Sequence, residues 1–457
     1  MRTRSSDSSL NREILRLAIP SILANITVPL VGMVDTAVAG HLSPEGGASA
    51  ADYIGSIAIG AMVLNMIYWL TGFLRTGAGG LTAQAFGQGN MHEAGRIFGR
   101  SNAIAITVSV LILALQWPFG RLVIPLTGAE GNLLDLAIRY FFVRIWAAPA
   151  TIMLMAYKGW FVGMQDSMSS MFTDLVINVT NIAASILLSF GLGSWEGLGF
   201  DGIAYGTVLA QYTGLAFASI LIYFRYNDVF QGLELREFFD KAEMRDLLSM
   251  NGDLFVRSLC FTVIYLGETM IAAGFGSVFL ACNAILMNLL MVFSYFTDGF
   301  AYAGEALTGR FIGARDKSMT IKTVRLVFIW AMGVAAMFMG IYALSGIPLV
   351  KMMTSDPVVV EACRQFLPWL LLMPPLGCAA FTWDGIFLGA TASKGTRDGM
   401  IAAMVSFLLV WYLGKVLFQP QDASCLHLLM GAYFAHLLAR TVLMSLRYRK
   451  EIISPLN

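Results

Sequence analysis

The chain is poor in charge. Only 13% of its residues are Asp, Glu, Lys or Arg, about half of what a soluble domain carries, so an ordinary water-facing surface is excluded. The four histidines (His41, His92, His427, His436) are scattered, and the sequence holds no HExxH, no GxSxG and no phosphate-binding GxxxxGK[ST]. Zinc hydrolysis, serine hydrolysis and nucleotide-driven work within this chain are therefore excluded, and no cofactor or metal site is expected. The five cysteines (Cys260, Cys282, Cys363, Cys378, Cys425) form no CxxC pair and read as small apolar residues rather than a disulfide framework. A net charge of +1 lacks the basic surplus that nucleic acid demands.

What the chain has is apolar residues, 57% of the total, gathered into runs long enough to cross a hydrocarbon core of about 30 Å. These runs predict helical spans over 14–42, 53–75, 97–119, 132–157, 167–190, 200–225, 248–273, 278–304, 321–345, 358–389, 397–417 and 425–446. They are helix-length rather than short alternating strands, and only helices or closed barrels satisfy the backbone within lipid. The first run is too long for a signal peptide and contains Asp35, so it reads as a retained span. With the N-terminus inside, 24 Lys and Arg fall on the cytoplasmic side, Arg2 and Arg4 among them, and 6 fall outside. That bias predicts both termini in the cytoplasm. The longest polar stretch, 226–247, reads as a cytoplasmic connector between a lobe of residues 1–225 and one of residues 248–457.

An internal repeat supports two lobes. Leu81-Thr82-Ala83-Gln84-Ala85-Phe86-Gly87 recurs half a chain later as Leu307-Thr308-Gly309-Arg310-Phe311-Ile312-Gly313. At the same interval, Gly159-Trp160-Phe161-Val162-Gly163 recurs as Gly385-Ile386-Phe387-Leu388-Gly389. Arg139 and Pro149 match Arg364 and Pro374 with the register slipped by a single position. An interval of six spans implies parallel halves about an axis along the membrane normal, with a cleft between them.

Ionisable groups inside spans are costly and mark functional candidates. Asp35 leads. Its neighbours Gly32, Thr36 and Ala39 are small or polar, which points that face at the protein interior. Pro29 leaves the carbonyl of Asn25 without its helical donor and predicts a weakened turn. A carboxyl away from water favours its neutral form, which suits proton uptake; a purely structural carboxyl is the competing reading. Asp298 and Glu305 lie two turns apart on one face, and Glu305 is expected near the cytoplasmic end of its span, where it could hold Arg310 or another loop cation. Asp384 lies in the tenth span with Lys158 at its repeat position, which makes a pair across the lobes conceivable. Asn178 and Asn181 read as interhelical hydrogen-bonders. Asp253 and Arg257 read as an i, i+4 ion pair and Asp174 as an acid at the start of the fifth span, while Glu268 has no obvious partner, an interfacial position being its plainest reading.

These stretches together resemble the multidrug and toxic compound extrusion (MATE) family, its DinF-like branch in particular. The resemblance rests on Arg16-Leu17-Ala18-Ile19-Pro20 through Val34-Asp35-Thr36-Ala37-Val38-Ala39-Gly40-His41-Leu42, on Leu81 to Gly87, and on Asn251-Gly252-Asp253 with Arg257. It continues through Asp298 to Glu305 and Asp384 to Ala390. It implies an all-α membrane protein of two pseudo-symmetric six-helix lobes in the inner membrane, a monomer that exchanges a small amphipathic or cationic organic solute for H⁺ or Na⁺. It also implies Asp35 as the coupling carboxylate. Where many members place a second acid in the fifth span, this chain has Ser185, which favours H⁺ over Na⁺. Asp384 matches a tenth-span acid of another branch, whereas Glu268 does not align with that branch's seventh-span glutamate. A lipid-linked-oligosaccharide flippase, with Arg139 and Arg144 meeting pyrophosphate, is the alternative.

Overall fold

The computed structural model describes residues 7–43, 47–420 and 423–456; Arg2 and Arg4 lie outside the described residues. Among the described residues, twelve helices are long and apolar enough to cross a membrane: α1 (Asp7–His41), α2 (Ala50–Gln88), α3 (Met91–Ala114), α4 (Gly131–Gly163), α5 (Ser167–Phe190), α6 (Phe200–Phe230), α7 (Lys241–Ala273), α8 (Ser277–Gly313), α9 (Lys317–Met353), α10 (Pro357–Gly389), α11 (Ser393–Phe418) and α12 (Ala423–Leu456). They form two six-helix lobes, α1–α6 and α7–α12.

Several spans outrun their apolar cores. α2 passes a tight turn at Gly72 and continues to Gln88. The Gly72 N–H bonds the carbonyl of Trp69 there at 3.2 Å. In α4 a 3-10 turn at Ile145–Ala147 precedes Pro149, which has no N–H to give an α-helical bond. α1 runs unbroken through both Pro20 and Pro29, so the weakened turn expected at Pro29 is not a break. The segment between Phe230 and Lys241 that lies outside the two spans is much shorter than the 226–247 connector expected. The polar composition of 226–247 includes helix ends, because charged residues there still serve helices once those leave the lipid. Arg96 of α3 holds Glu237 of the connector, and Arg100 bonds both Glu93 and Glu243.

Within the first lobe the tightest seam joins α5 and α6. Gly202, Gly206, Ala210, Gly214 and Ala218 fall every fourth residue and are all buried, a small-residue ridge that lets two backbones approach in lipid. Between the lobes the sequence repeat becomes a repeat of contacts. A side chain at Gly87 would land on the backbone of Arg310, and one at Gly313 on that of Gln84; one at Gly159 would meet Arg75, and one at Gly385 would meet Ala301. Gly313 is the repeat counterpart of Gly87, Arg310 of Gln84, Gly385 of Gly159 and Ala301 of Arg75. The pseudo-two-fold axis passes where Gly309 faces Ala83.

The lobes also trade helix ends. Leu10, Ile14, Leu17 and Ala18 of α1 belong to the second lobe's core, while Val38, Ala39 and Leu42 belong to the first lobe's. α7 reverses the exchange: Leu247 packs in the first lobe's core, and Cys260, Ile264 and Ala272 in the second's. A division at the connector therefore does not separate the two cores.

A Cβ at Gly206 would lie 2.6 Å from the backbone nitrogen of Ser185 and 2.7 Å from its hydroxyl. Gly206→Val is expected to cost about 1–3 kcal/mol through overpacking, read as a lower Tm of the purified protein. Leu209→Val, at an exposed position just short of the ridge, should leave Tm unchanged.

Candidate functional site

A cavity of about 370 Å³ opens between the lobes. The first lobe contributes Tyr68, Trp69, Arg75 and Met155, and the second contributes most of the rest, with aromatic walls at Phe261, Tyr265, Tyr295, Tyr302, Phe381 and Tyr433. Three cations (Arg75, Arg257, Arg440) and three acids (Asp298, Glu305, Asp384) line it. The shared face expected for Asp298 and Glu305 is thus a cavity wall.

Five of these six charges are paired with one another. Arg440, only 2% exposed, donates from Nε to Asp384 at 3.0 Å, and Arg257 bonds the other carboxylate oxygen. Arg75 crosses from α2 to α8, where it bonds the fully buried Glu305 at 3.2 Å and stacks its guanidinium 4.1 Å from the Tyr302 ring centroid. The space for Glu305 exists because residue 79 is glycine: a Cβ there would strike the carboxylate. The repeat partners of Arg75 and Glu305 are Ala301 and Gly79, so this ion pair has no symmetry mate. Asp298 faces the cavity with Arg75, Arg257 and Arg440 within electrostatic reach.

These geometries correct three expectations and decide a fourth. Asp384 does not meet Lys158 across the lobes; each acid and base is satisfied within its own lobe, Lys158 by Asp174. Asp253 does not pair with Arg257 but with Arg397 at 2.7 Å, and it accepts from Ser393 at 2.8 Å. Of the cations open to Glu305, Arg310 is held by Glu13 of α1 at 3.1 Å, and Arg75 is the one Glu305 bonds. Asp174 is not an N-terminal acid, since α5 begins at Ser167 with Asp166 as its cap. Neighbouring helices supply nearer partners than the local sequence in each case. Among the charged cavity groups, Arg75 and Arg440 were passed over in the sequence and Arg257 was assigned to Asp253, because arginines at span ends look like ordinary interfacial charges.

Asp35 lies outside this cavity. It is 3% exposed, inside the first lobe, and accepts a hydrogen bond from the Ser185 hydroxyl of α5 at 3.0 Å. Arg144 of α4 lies within electrostatic reach, its guanidinium 5.6 Å from the Tyr140 ring centroid. The buried stripe of α1 here is Asp35, Val38 and Ala39, whereas Gly32 and Thr36 are not buried; the Thr36 hydroxyl turns back to the carbonyl of Gly32 at 2.8 Å. The expected inward face was therefore one step off around the helix. The amides do join helices: Asn178 bonds Thr27 of α1 at 2.6 Å, Asn181 bonds Thr207 of α6 at 3.0 Å, and Asn25 reaches the Tyr295 carbonyl of the second lobe at 3.4 Å. Glu268 is not interfacial: it is fully buried in the second lobe.

The ends of α2 and α8 beyond the cavity are sealed. Gln84 bonds the carbonyl of Gly389 and the hydroxyl of Thr391, both at 3.1 Å, and Gln165 bonds the carbonyl of Ala306 at 2.8 Å. Replacing one member of a buried ion pair costs about 3–5 kcal/mol, since it strands the other charge. Glu305→Gln should thus weaken this closed face. Spin labels at Gln88 and Ala314, on opposite lobes, should give a longer distance distribution in Glu305→Gln than in the wild type.

Comparison with known proteins agrees with this architecture. The MatE family model matches twice, over residues 20–187 and 254–415, once in each half. The DNA damage-inducible protein F of Escherichia coli is 33% identical over 88% of this chain and 85% of its own length. A probable multidrug resistance protein NorM of Thermotoga maritima is 22% identical over 88% of this chain and 83% of its own. An outward-facing multidrug resistance MATE family transporter superposes with a TM-score of 0.84 at 18% identity, covering 98% of this chain and 97% of that one. A mutant of the Vibrio cholerae MATE transporter VcmN superposes at 0.83, with 17% identity and 97% of both chains covered. These relatives do not favour the flippase alternative, and Arg139, one of its two candidates, is occupied by Asp201 at 2.5 Å. With two family-model matches, a third of the aligned residues shared with the E. coli protein and the family's two-lobed architecture, this chain belongs to the MATE family of multidrug and toxic compound efflux transporters.

Proposed function

We propose that the protein is an H⁺-coupled antiporter that exports small amphipathic or cationic organic compounds across the inner membrane, with Asp35 as the coupling group. The face bearing the connector is cytoplasmic in this reading, which rests on the 24-to-6 distribution of Lys and Arg. The aromatic walls of the cavity suit a flat apolar body. Asp298, the one cavity carboxylate outside the ion pairs among the described residues, suits a cationic group.

The observation that supports proton rather than sodium coupling is that Asp35 meets a serine hydroxyl and a guanidinium, with Ser185 standing where a second fifth-span acid would be. Ser185 supplies its side-chain hydrogen bond, and the nearby charge is the cation of Arg144. A sodium ion prefers several oxygen ligands and would meet a guanidinium instead, whereas a proton needs the carboxylate alone. Protonation of Asp35 weakens its attraction to Arg144 and its acceptance from Ser185, and so loosens α1 against α4 and α5. Entry of the proton from outside then accompanies solute release, and its loss to the cytoplasm restores the loaded packing. At about 150 mV one inward charge supplies roughly 3.5 kcal/mol, enough for a solute gradient of about a few hundredfold.

Asp35→Asn retains the shape of the protonated group but cannot cycle. It should express near wild-type levels and lose transport, while Asp35→Glu should keep part of it. In proteoliposomes, efflux should follow ΔpH without sodium and collapse with a protonophore; efflux that ignores the protonophore but needs a sodium gradient overturns the reading. Tags near residue 195 should label from outside the cell and tags near 238 should not, and the reverse pattern would invert the orientation.

A further inference from the structure

Two crevices related by the repeat open on the connector face, and they carry opposite charge. One, of about 310 Å³, lies between the start of α1, the end of α6 and α8. Three arginines line it, Arg16, Arg225 and Arg310, with the acids Glu13 and Asp166. Its repeat mate lies between the start of α7, α2 and α3, and sets Glu93, Glu243 and Asp246 against Arg100. Leu307 and Arg310 of the first crevice stand where Leu81 and Gln84 stand in the second. The fold repeats but the charge does not, so the basic lining belongs to one crevice rather than to the architecture.

The acids of the basic crevice are already answered. Asp166 accepts from Arg225 at 3.0 Å, from the hydroxyls of Ser169 and Tyr226 at 2.6 Å each, and from the Ser169 N–H at 3.2 Å. Glu13 accepts from Arg310 at 3.1 Å. Both arginines bind their acids through Nη1, one nitrogen of a guanidinium that carries five N–H donors, so neither pair uses the whole fork. Arg16 is exposed and has no acid partner among the described residues. The same holds for Arg12, one turn earlier, where the crevice continues. The six residues that precede α1 add Arg2 and Arg4 to the sequence and no acid.

The face of α1 that carries these arginines turns apolar as it enters the span. Arg12 and Arg16 are followed by Ile19, Leu23 and Ile26, all exposed, and spacings of three and four put the five on one side of the helix. From Arg16 to Ile26 the axis rises about 15 Å, roughly one leaflet of a hydrocarbon core of about 30 Å. A free phosphate would use the arginines and leave the stripe idle, whereas a phospholipid uses both. We propose that this crevice binds the phosphate headgroup of an anionic phospholipid of the connector-side leaflet, with an acyl chain along α1. Basic pockets between helix ends on that side suit such headgroups. Arg16 and Arg310 lie on helix ends packed in the second lobe, and Arg225 ends the last helix of the first. The headgroup therefore bridges the lobes on the face that Gln84 and Gln165 seal.

The site is independent of the coupling ion and stands or falls apart from it. Native mass spectrometry of the full chain, taken from detergent holding equal phosphatidylglycerol and phosphatidylcholine, counts the lipid retained. The wild type should keep phosphatidylglycerol in preference by about fivefold or more, and Arg12→Gln/Arg16→Gln should lose that preference. Neither arginine is held in an ion pair, so the fold does not depend on them. Arg236→Gln/Lys241→Gln removes the same charge from exposed positions of the connector face and should keep the preference. An unchanged preference in Arg12→Gln/Arg16→Gln overturns the site, and so does an equal loss in both double variants. Displacement of the lipid by millimolar inorganic phosphate overturns the lipid as its occupant. In nanodiscs, the distance between labels at Gln88 and Ala314 should be shorter with phosphatidylglycerol than with phosphatidylcholine, and this difference should vanish in Arg12→Gln/Arg16→Gln. No difference in the wild type overturns the bridge between the lobes.

Discussion

The architecture depends on the close approach of backbones across the pseudo-two-fold axis. Apolar surface gains nothing from leaving lipid for another apolar helix, so the lobes cannot be held together as a soluble core is. They meet instead where Gly87 faces Arg310 and Gly313 faces Gln84, at distances no side chain would allow. Those contacts bring polar groups into register: Gln84 reaches Gly389 and Thr391, and Gln165 reaches Ala306. One glycine of the set does more than permit approach. Residue 79 leaves the volume that Glu305 fills, and so allows a buried ion pair to cross the interface.

Burial then sorts the ionisable groups by what answers them. Asp384 is answered twice, by Arg257 and Arg440; Glu305 is answered by Arg75, and Asp174 by Lys158. Such pairs are costly to break and contribute little by forming, so they hold geometry rather than exchange ions. Asp35 has a cation near it but no ion pair, and Glu268 has neither a pair nor a full set of hydrogen bonds. A carboxyl left in that state changes its protonation more readily than one clamped by a guanidinium. The proposed proton coupling therefore falls to a less satisfied acid, Asp35, rather than to one held in an ion pair.

Much of the fold was legible in the sequence because lipid makes simple demands. Twelve apolar runs of helix length leave no other backbone solution, and the recurrence of Leu81–Gly87 at Leu307–Gly313 disclosed the two lobes. Asp35 was legible for the same reason, as a charge where charge is expensive. Its partners were not. Ser185 was noticed for the acid it replaces and turned out to be the donor to Asp35, while Arg144 was weighed only as a pyrophosphate ligand. Asp253 and Arg257 show the cause: four residues apart on one helix they satisfy a local rule, yet each finds a better partner on another helix. A small-residue stripe such as Gly32 and Thr36 also does not say which way it faces, since small residues serve close packing and an open face equally well.

The crossing of α1 and α7 links these observations. Each helix starts in the far lobe's core and ends in its own, so its axis spans the interface between the lobes. A change of charge near the end of such a helix can act on both lobes, because the helix is anchored in both cores. The Asp35 end of α1 meets Ser185, while its beginning holds Arg310 through Glu13 and Trp330 through Asn11. The Glu268 end of α7 meets Asn283, while its beginning holds Arg100 through Glu243. In the proposed reading, a proton at Asp35 would alter packing at one end of a helix whose other end lies among the contacts that seal the connector face. On that reading, ion binding need not occur in the cavity to govern which side the cavity faces.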